Sequence, residues 1–186
     1  MKGRDLEAEA WGAIGNVRQH HLDRLVDLGC AMPALSTLSS SRPILGVAKV
    51  ATSQAGLFQP DERGSGAFVM PVTDWDDFGP TVFDLIAWSP SDPARWWWRV
   101  GSASMLGEDM LAEDCPIPVV PDPVQWLAVG GQAVCILDWS ARSRAWRLLR
   151  DGPGLTFIDD TLRKRVRNSL IESAPLPTME LVHAAA

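Results

Sequence analysis

A tryptophan-rich stretch from Thr81 to Gly101 constrains this chain most strongly, because it holds four of the nine tryptophans. Residues 82–88 form a nearly continuous apolar run of β-forming side chains, interrupted only by Asp84. The sequence Ser-Pro-Ser-Asp-Pro at 89–93 favours a turn, since proline fixes φ and the Ser and Asp side chains bond to the local backbone. Residues 95–100 then continue as a second extended segment. The stretch therefore predicts a β-hairpin.

Three consecutive tryptophans cannot all face one side of a strand, because side chains alternate between the two faces. Burial in the core is the simpler interpretation, since each covered aromatic ring removes about 150–250 Å² from water. The sharper hypothesis is an exposed platform that binds a protein partner or stacks nucleobases. The residues of this candidate binding site are Arg95, Trp96, Trp97, Trp98 and Arg99, with Trp96 and Trp98 on one face and Trp97 on the other.

The N-terminal segment has the clearest helical period. Apolar residues recur at spacings of three and four between Asp5 and Leu28, and Gly29 follows as a stop signal. Gly12 and Gly15 each cost about 1 kcal/mol relative to alanine inside a helix. The segment is therefore predicted to form one helix or two.

The middle of the chain changes to an extended pattern. Strands are predicted over 44–52, 54–59 and 66–72, and they form an antiparallel meander with the hairpin. A short helix is predicted over 102–111. Four prolines within 115–123 favour an extended linker or an edge strand, and this segment is the candidate subdomain boundary.

The last third reads as alternating helix and strand. Residues 139–149 also fit a hairpin, because they alternate in polarity as well. The tail beyond residue 174 is predicted to be frayed or docked as an extended arm. The predicted elements are a helix at 123–129, a strand at 133–137, a helix at 140–150, a strand at 155–158 and a helix at 161–173.

These elements predict an α+β fold: an N-terminal helix on an antiparallel sheet, followed by a C-terminal α/β portion. A length of 186 residues and an apolar content of 46% suit a single domain spanning residues 1–186. The three cysteines, Cys30, Cys115 and Cys135, lack CxxC spacing and are expected to be reduced, buried thiols. With no predicted signal peptide or membrane span, a cytoplasmic location and no membrane partner are expected.

Charge is distributed unevenly around the net value of −6. Between Asp61 and Asp122, twelve acidic residues accompany three arginines, a local charge of −9. Between Trp139 and Glu172, eight basic residues accompany four acidic ones, a local charge of +4. Opposite charges of this size attract within one molecule or between two copies, so self-association is one expectation.

Three aspartates follow predicted strands: Asp138, Asp159 and Asp160. If those strands are parallel neighbours, the carboxylates meet at the edge where open α/β sheets bind ligands, and they could support metal-assisted phosphoryl chemistry. The simpler interpretation is that they cap helices. No phosphate-binding loop or nucleophile motif accompanies these aspartates. The adjacent His20 and His21 point about 100° apart on a helix, so they cannot bind one metal ion together. No catalytic residue, metal or cofactor is therefore predicted.

A basic face is the other candidate. Arginine combined with aromatic rings is the chemistry that contacts phosphates and bases, although solvated helix faces explain the pattern equally well. Arg150, Lys164, Arg165, Trp139 and Trp146 belong to the same run of sequence. The candidate residues of this face are Arg142, Arg144, Arg147, Arg163 and Arg167.

The segment DLIAWSPSDPARWWWRVGSASMLGED, followed by VQWL and AVCILDWS, resembles uncharacterised proteins from bacterial prophage and mobile-element regions. The resemblance covers roughly the C-terminal half of the chain. It carries no known activity. What it implies is a bacterial cytoplasm and a phage-like genetic neighbourhood.

Taken together, the residues favour a non-enzymatic protein-binding or accessory protein that uses the Arg/Trp hairpin and an acidic surface. A protein partner or a second copy is the expected ligand, and nucleic acid is less favoured because of the acidic middle of the chain. The alternative is a metal-dependent enzyme or binder that acts on nucleic acid or nucleotides through the strand-end aspartates and the basic face.

Overall fold

The computed structural model describes residues 5–39, 44–76 and 79–174. The N-terminal periodic segment forms two helices, α1 (Leu6–Ile14) and α2 (Gln19–Asp27), followed by α3 (Met32–Ser39). The chain leaves α1 through a turn at Gly15, a residue that costs stability inside a helix. Of the two predicted alternatives, two helices is therefore the correct one.

The predicted antiparallel sheet is confirmed with five strands, but its order is not that of a meander, because the third strand pairs with the first and not with the second. Its strands are β1 (Gly46–Thr52), β2 (Phe58–Pro60), β3 (Ser65–Asp76), β4 (Gly79–Ser89) and β5 (Asp92–Trp98). The strand order is β2-β1-β3-β4-β5, and the tryptophan-rich stretch is the β4–β5 hairpin. Asp77 of the acidic segment and the predicted arm beyond residue 174 lie outside the described residues.

The strand register separates the tryptophans as the alternation rule requires. Phe68, Trp88 and Trp96 form a row across three strands on one face of the sheet, and Trp88 has no exposed surface. Trp98 lies on the same face, which packs into the main core. Trp97 lies on the opposite face, in the cluster that α1 covers. All three consecutive tryptophans are half-buried.

The five-stranded sheet curls until its two edges touch. The backbone N–H of Trp98 donates to the Gly56 carbonyl at 2.9 Å, and Leu57 forms a single β-bridge with Trp98. The contact brings the start of β2 against the end of β5. On β1, a Cβ at Gly46 would come within 2.5 Å of the Ala13 Cβ, so the close approach of α1 requires glycine there.

The C-terminal part forms a second, mixed sheet with helices on both faces, as the predicted α/β portion requires. Its strands are β6 (Met105–Leu106), β7 (Ile117–Val120), β8 (Val134–Ile136) and β9 (Leu155–Phe157), in the order β6-β8-β7-β9. β7 is parallel to both β8 and β9. The helices are α4 (Pro123–Ala128), α5 (Arg144–Asp151) and α6 (Asp160–Glu172), and α5 excludes the alternative hairpin over 139–149.

The predicted helix over 102–111 is wrong. That segment contains β6 and a 3₁₀ helix, Glu108–Ala112. Gly107 separates them with φ +73°, and a Cβ there would lie 2.1 Å from the Ala133 carbonyl oxygen. The left-handed conformation ends any α-helix at this point, because only glycine adopts it next to another backbone.

The proline-rich segment is also not a linker or an edge strand, because β7 is flanked by β8 and β9. The Ile117 N–H donates to the Gly154 carbonyl at 2.8 Å on the β9 side. The next residue, Pro118, therefore turns toward β8, whose pairing with β7 begins only at Val119. The missing N–H of proline thus costs no ladder hydrogen bond.

The largest apolar cluster lies between the two sheets. It joins the Trp88 face of the five-stranded sheet to α3, α4 and one face of β8, including Cys135. A second cluster packs α5 and α6 on the other face of the mixed sheet, and a third packs α1 on the five-stranded sheet. Burial raises the pKa of the Cys30 thiol to about 11. Cys115 is exposed, against the expectation of burial.

Asp84, the one charge in the apolar run, has no exposed surface. Its Oδ1 accepts the N–H of Leu85 at 2.8 Å and that of Val100 at 2.9 Å. Its Oδ2 accepts three further backbone N–H groups, those of residues 101–103, at 2.7–3.0 Å. The carboxylate is thus satisfied by five backbone donors, and it holds the segment that leads from β5 to β6.

Replacing Asp84 with Asn should therefore destabilise the fold. The substitution removes the negative charge and turns one acceptor oxygen into a donor that faces backbone N–H groups. We expect the free energy of unfolding to fall by about 3 kcal/mol, measured by urea denaturation. Asp92→Asn is the matched control, because Asp92 is exposed on the same hairpin. Equal denaturation midpoints for the two variants would contradict this role of Asp84.

Candidate ligand-binding groove

The hairpin is held in place by hydrogen bonds from the indole N–H groups of its tryptophans. The Trp96 indole N–H donates to the Leu137 carbonyl at 3.3 Å, just beyond the end of β8. The Trp98 indole N–H donates to the Ala103 carbonyl at 3.0 Å. The first bond holds β5 against the end of β8, and the second ties β5 to the segment that leads into β6. The hairpin is therefore a wall beside the carboxyl end of β8.

Two of the predicted binding arginines have different surroundings. Arg95 is exposed, and its guanidinium lies 5.1 Å from the centroid of the Trp97 ring. Arg99 is buried and makes a bidentate ion pair with Glu9 of α1, with Nε–Oε2 at 2.7 Å and a second bond of 3.0 Å. The Arg99 guanidinium therefore joins the hairpin to α1 inside the protein, whereas Arg95 remains at the surface.

A crevice lies where β7 and β8 end. These two parallel strands are neighbours, yet β7 continues into α4 on one face of the sheet and β8 continues toward α5 on the other face. The chains leaving the two strands therefore diverge. In open α/β sheets, ligands bind in the crevice outside the carboxyl ends of strands at such a point.

We name the cavity at this place the hairpin groove; it has a volume of about 460 Å³. The β5 side contributes Arg95, Trp96 and Trp98, and the strand ends contribute Asp122, Leu137 and Trp139. Arg165 of α6 completes the groove, with its guanidinium 3.6 Å from the centroid of the Trp139 ring. The hairpin groove thus combines three indole rings, the Arg165 guanidinium and one carboxylate. The Arg95 guanidinium lies over Trp97, on the face of β5 opposite to Trp96 and Trp98.

Asp122 is placed by helix capping. Its Oδ1 accepts the N–H of Gln125 at 2.9 Å at the start of α4. Burial raises the pKa of the Asp122 carboxyl above its ordinary value, although backbone N–H groups favour the ionised form. The hairpin groove therefore holds one guanidinium group, that of Arg165, and one carboxylate.

The predicted acidic site is dispersed into local contacts. Asp138 accepts the N–H of Ser140 at 3.0 Å, and Asp159 caps α6 through the N–H groups of Thr161 and Leu162. These N–H groups hold the pKa of the Asp159 carboxyl below its usual value. Asp160 pairs with two basic residues one turn along α6. Among the described residues no three acidic, cysteine or histidine side chains form a metal-binding group.

The predicted basic face is likewise divided. Arg144 pairs with Glu108, and Arg163 bonds to Asp160 with Nε–Oδ1 at 2.8 Å. Arg163 and Arg167 border a different, apolar groove beside β9. The remaining two members, Arg142 and Arg147, are exposed.

Arg165 reaches the hairpin groove, although it is not among the candidate residues of the predicted basic face. Residues two apart on a helix point about 200° apart, so the Arg165 side chain points away from those of Arg163 and Arg167. The sequence did not indicate Asp122 as a site residue, because Asp122 lies in a proline-rich segment that was predicted to be a linker or an edge strand. The signal for it was an Asp directly before Pro123, the usual start of a helix.

No family model, curated protein or solved structure matches this chain. Within the three described ranges, no helix is both long and apolar enough to cross a bilayer. Function is therefore inferred from the chemistry of the groove itself.

The position of Arg99 predicts a structural rather than a binding role. Arg99→Gln and Glu9→Gln should each lower the free energy of unfolding by about 2 kcal/mol, because each leaves a mostly buried partner without its ion pair. The double variant should cost less than the sum of the two single changes in urea denaturation. Losses that add up to the sum of the single changes would show that the two side chains do not interact. Arg142→Gln, an exposed arginine change, is the control and should stay within about 0.5 kcal/mol of the parent.

Proposed function

We propose that this chain is a non-enzymatic binding protein, and that the hairpin groove binds a ligand with a planar ring and a negative charge. The observation that carries the proposal is the stacking of the Arg165 guanidinium on Trp139, 3.6 Å from the ring centroid, in the same groove as Trp96 and Trp98. The Arg/Trp hairpin predicted to bind a partner is one wall of this groove. The carboxyl edge of the mixed sheet is the other.

The groove has the properties of a small-molecule site. Its volume of about 460 Å³ lies within the range of ligand pockets in proteins. The guanidinium stacked on the ring keeps its N–H donors, which lie in its own plane, available for an anion. The indole rings offer apolar area to a ring of the ligand. Binding is favoured over catalysis because Asp138, Asp159 and Asp160 are engaged in caps and local ion pairs.

The planar anion 1-anilinonaphthalene-8-sulfonate tests the proposal. It should bind the full chain and receive energy from the groove tryptophans, which is measured as sensitised dye fluorescence. Arg165→Ala should weaken dye binding about fivefold, the equivalent of about 1 kcal/mol for a cation–π-supported charge contact. Trp139→Ala should weaken it at least as much.

Arg147→Ala is the matched control, because Arg147 is an exposed arginine on α5 away from the groove lining. Its dye affinity should stay within about twofold of the parent, since a distant surface charge contributes little. Urea denaturation of every variant confirms that each remains folded. Equal dye affinity in the Arg165, Trp139 and Arg147 variants would remove the hairpin groove as the binding site.

A protein partner is the second candidate, favoured by the exposed Arg95 stacked on Trp97 at the edge strand β5. Trp and Arg are preferred anchors of interfaces. A second copy is one such partner, because the −9 and +4 segments attract each other; the Arg144–Glu108 pair neutralises part of this charge internally.

Self-association through these charges should depend on salt. Light scattering should give a dimer mass at low ionic strength and a monomer mass at high ionic strength, because salt screens exposed charges. An unchanged monomer mass in both conditions would leave the second copy without support. Arg95→Ala with Trp97→Ala should weaken a partner that uses the hairpin.

A further inference from the structure

We infer that the ligand of the hairpin groove is a single ribonucleotide. The base lies against the tryptophan rings, the phosphate lies on Arg165, and the ribose hydroxyls bond to Asp122. This inference rests on the proposed function, since it names the ligand class for the same groove. Three features of the groove carry it, one for each part of a nucleotide.

The tryptophans offer apolar ring area rather than polar edges. The indole N–H groups of Trp96, Trp98 and Trp139 donate to the carbonyls of Leu137, Ala103 and Ile136 at 3.0–3.3 Å. All three N–H groups are thus used within the protein, so these residues offer a ligand apolar ring area and no indole donor. Such rings stack nucleobases with about 1–3 kcal/mol per base.

The arginine of the groove is held by a ring instead of a carboxylate. The Arg165 guanidinium lies 3.6 Å from the centroid of the Trp139 ring. The described arginine ion pairs involve other residues, at positions 99, 144 and 163. A stacked guanidinium retains up to five N–H donors in a planar fork, which suits the oxygens of a phosphate.

Asp122 supplies the acceptor that a ribose requires. An ionised carboxylate has about four lone-pair sites, and the cap of α4 uses those that face the N–H groups of Gln125 and Val124. The others remain available for hydroxyl donors at the end of β7. Acidic residues near strand ends of nucleotide-binding sheets bond ribose hydroxyls in this way.

The same carboxylate argues for one nucleotide rather than a strand. Nucleic-acid strands bind to continuous positive grooves that follow several phosphates. Here the groove holds one guanidinium group, that of Arg165, Asp122 opposes it, and the chain carries a net charge of −6. One nucleotide also matches a volume of about 460 Å³.

Calorimetric titration of the full chain tests this with adenosine monophosphate, its 2′-deoxy analogue, adenosine and inorganic phosphate. The monophosphate should bind at least about tenfold more tightly than adenosine or phosphate alone, because each lacks one anchored part. It should also bind about tenfold more tightly than the deoxy analogue, the equivalent of one charge-assisted hydrogen bond. The pyrimidine uridine monophosphate is expected to bind as well, since stacking tolerates any base.

Asp122→Asn is the sharpest variant, because asparagine caps a helix as well as aspartate does. It should reduce the preference for ribose to about threefold or less, since a neutral amide makes a weaker bond to a hydroxyl. The affinity for the deoxy analogue should stay equal or rise, because the repulsion between the carboxylate and the phosphate is gone. A merely structural role for Asp122 would lower both affinities together. Asp138→Asn, a strand-end aspartate outside the groove lining, is the control and should leave both unchanged.

The outcomes separate this inference from the proposed function. Equal affinity for phosphate and for the monophosphate, or for adenosine and the monophosphate, would overturn the nucleotide assignment. A single-stranded oligoadenylate that binds more tightly per molecule than the monophosphate would overturn the choice of one nucleotide. Absence of nucleotide binding, with dye binding still sensitive to Arg165→Ala, would overturn the inference while the proposed function stands. Loss of both would overturn both.

Discussion

The structure depends on one buried carboxylate. Asp84 accepts five backbone N–H groups, four of them from residues 100–103, and so fixes the path by which the chain leaves the five-stranded sheet. The backbone carbonyl of the next residue, Ser104, accepts hydrogen bonds from the N–H groups of Leu137 and Asp138 at 2.9 and 3.1 Å. One charge thus orders the segment that positions the end of β8, and with it one wall of the groove. A buried charge is stable here because every partner it needs is a backbone donor held by the fold.

Apolar packing and directional hydrogen bonds of tryptophan together hold the two sheets in place. Trp88 and Phe68 lie on neighbouring strands of the five-stranded sheet with ring centroids 4.6 Å apart, and both pack into the core between the sheets. Apolar packing of this kind alone would tolerate sliding between the layers. The indole N–H bonds of Trp96 and Trp98 to carbonyls beyond β8 and β5 remove that freedom. Large rings with a single polar edge therefore supply apolar area and register together.

Charged side chains divide into those used by the fold and those left for a ligand. Arg99 and Arg144 are paired with carboxylates, whereas Arg95 and Arg165 are supported by indole rings. A guanidinium paired with a carboxylate has little attraction left for an anion, but one stacked on a ring keeps its full charge and its donors. Of the two ring-supported arginines, Arg165 offers its donors to the hairpin groove, and Arg95 offers them on the opposite face of β5.

Much of the fold follows from local pattern. Alternating polarity predicted the hairpin and the opposite facing of Trp96 and Trp97, and helical spacing predicted α6, because these depend on the geometry of a single element. The central position of β7 was not predictable, since its prolines are tolerated only where the ladder with β8 has not yet begun. Nor was the break at Gly107, which the approach of the Ala133 carbonyl imposes.

The sequence by itself determined which residues carry aromatic area and charge, because composition and spacing do not change on folding. Only the tertiary structure decided which of them meet. Arg165 and Trp139 are distant in sequence and adjacent in space, and Arg99, one residue from the tryptophans, turns inward to Glu9. The physical reason is that a site on diverging parallel strands is assembled from chain ends that share no local pattern. Their meeting depends on strand order, which is set by the packing of both sheets around one core.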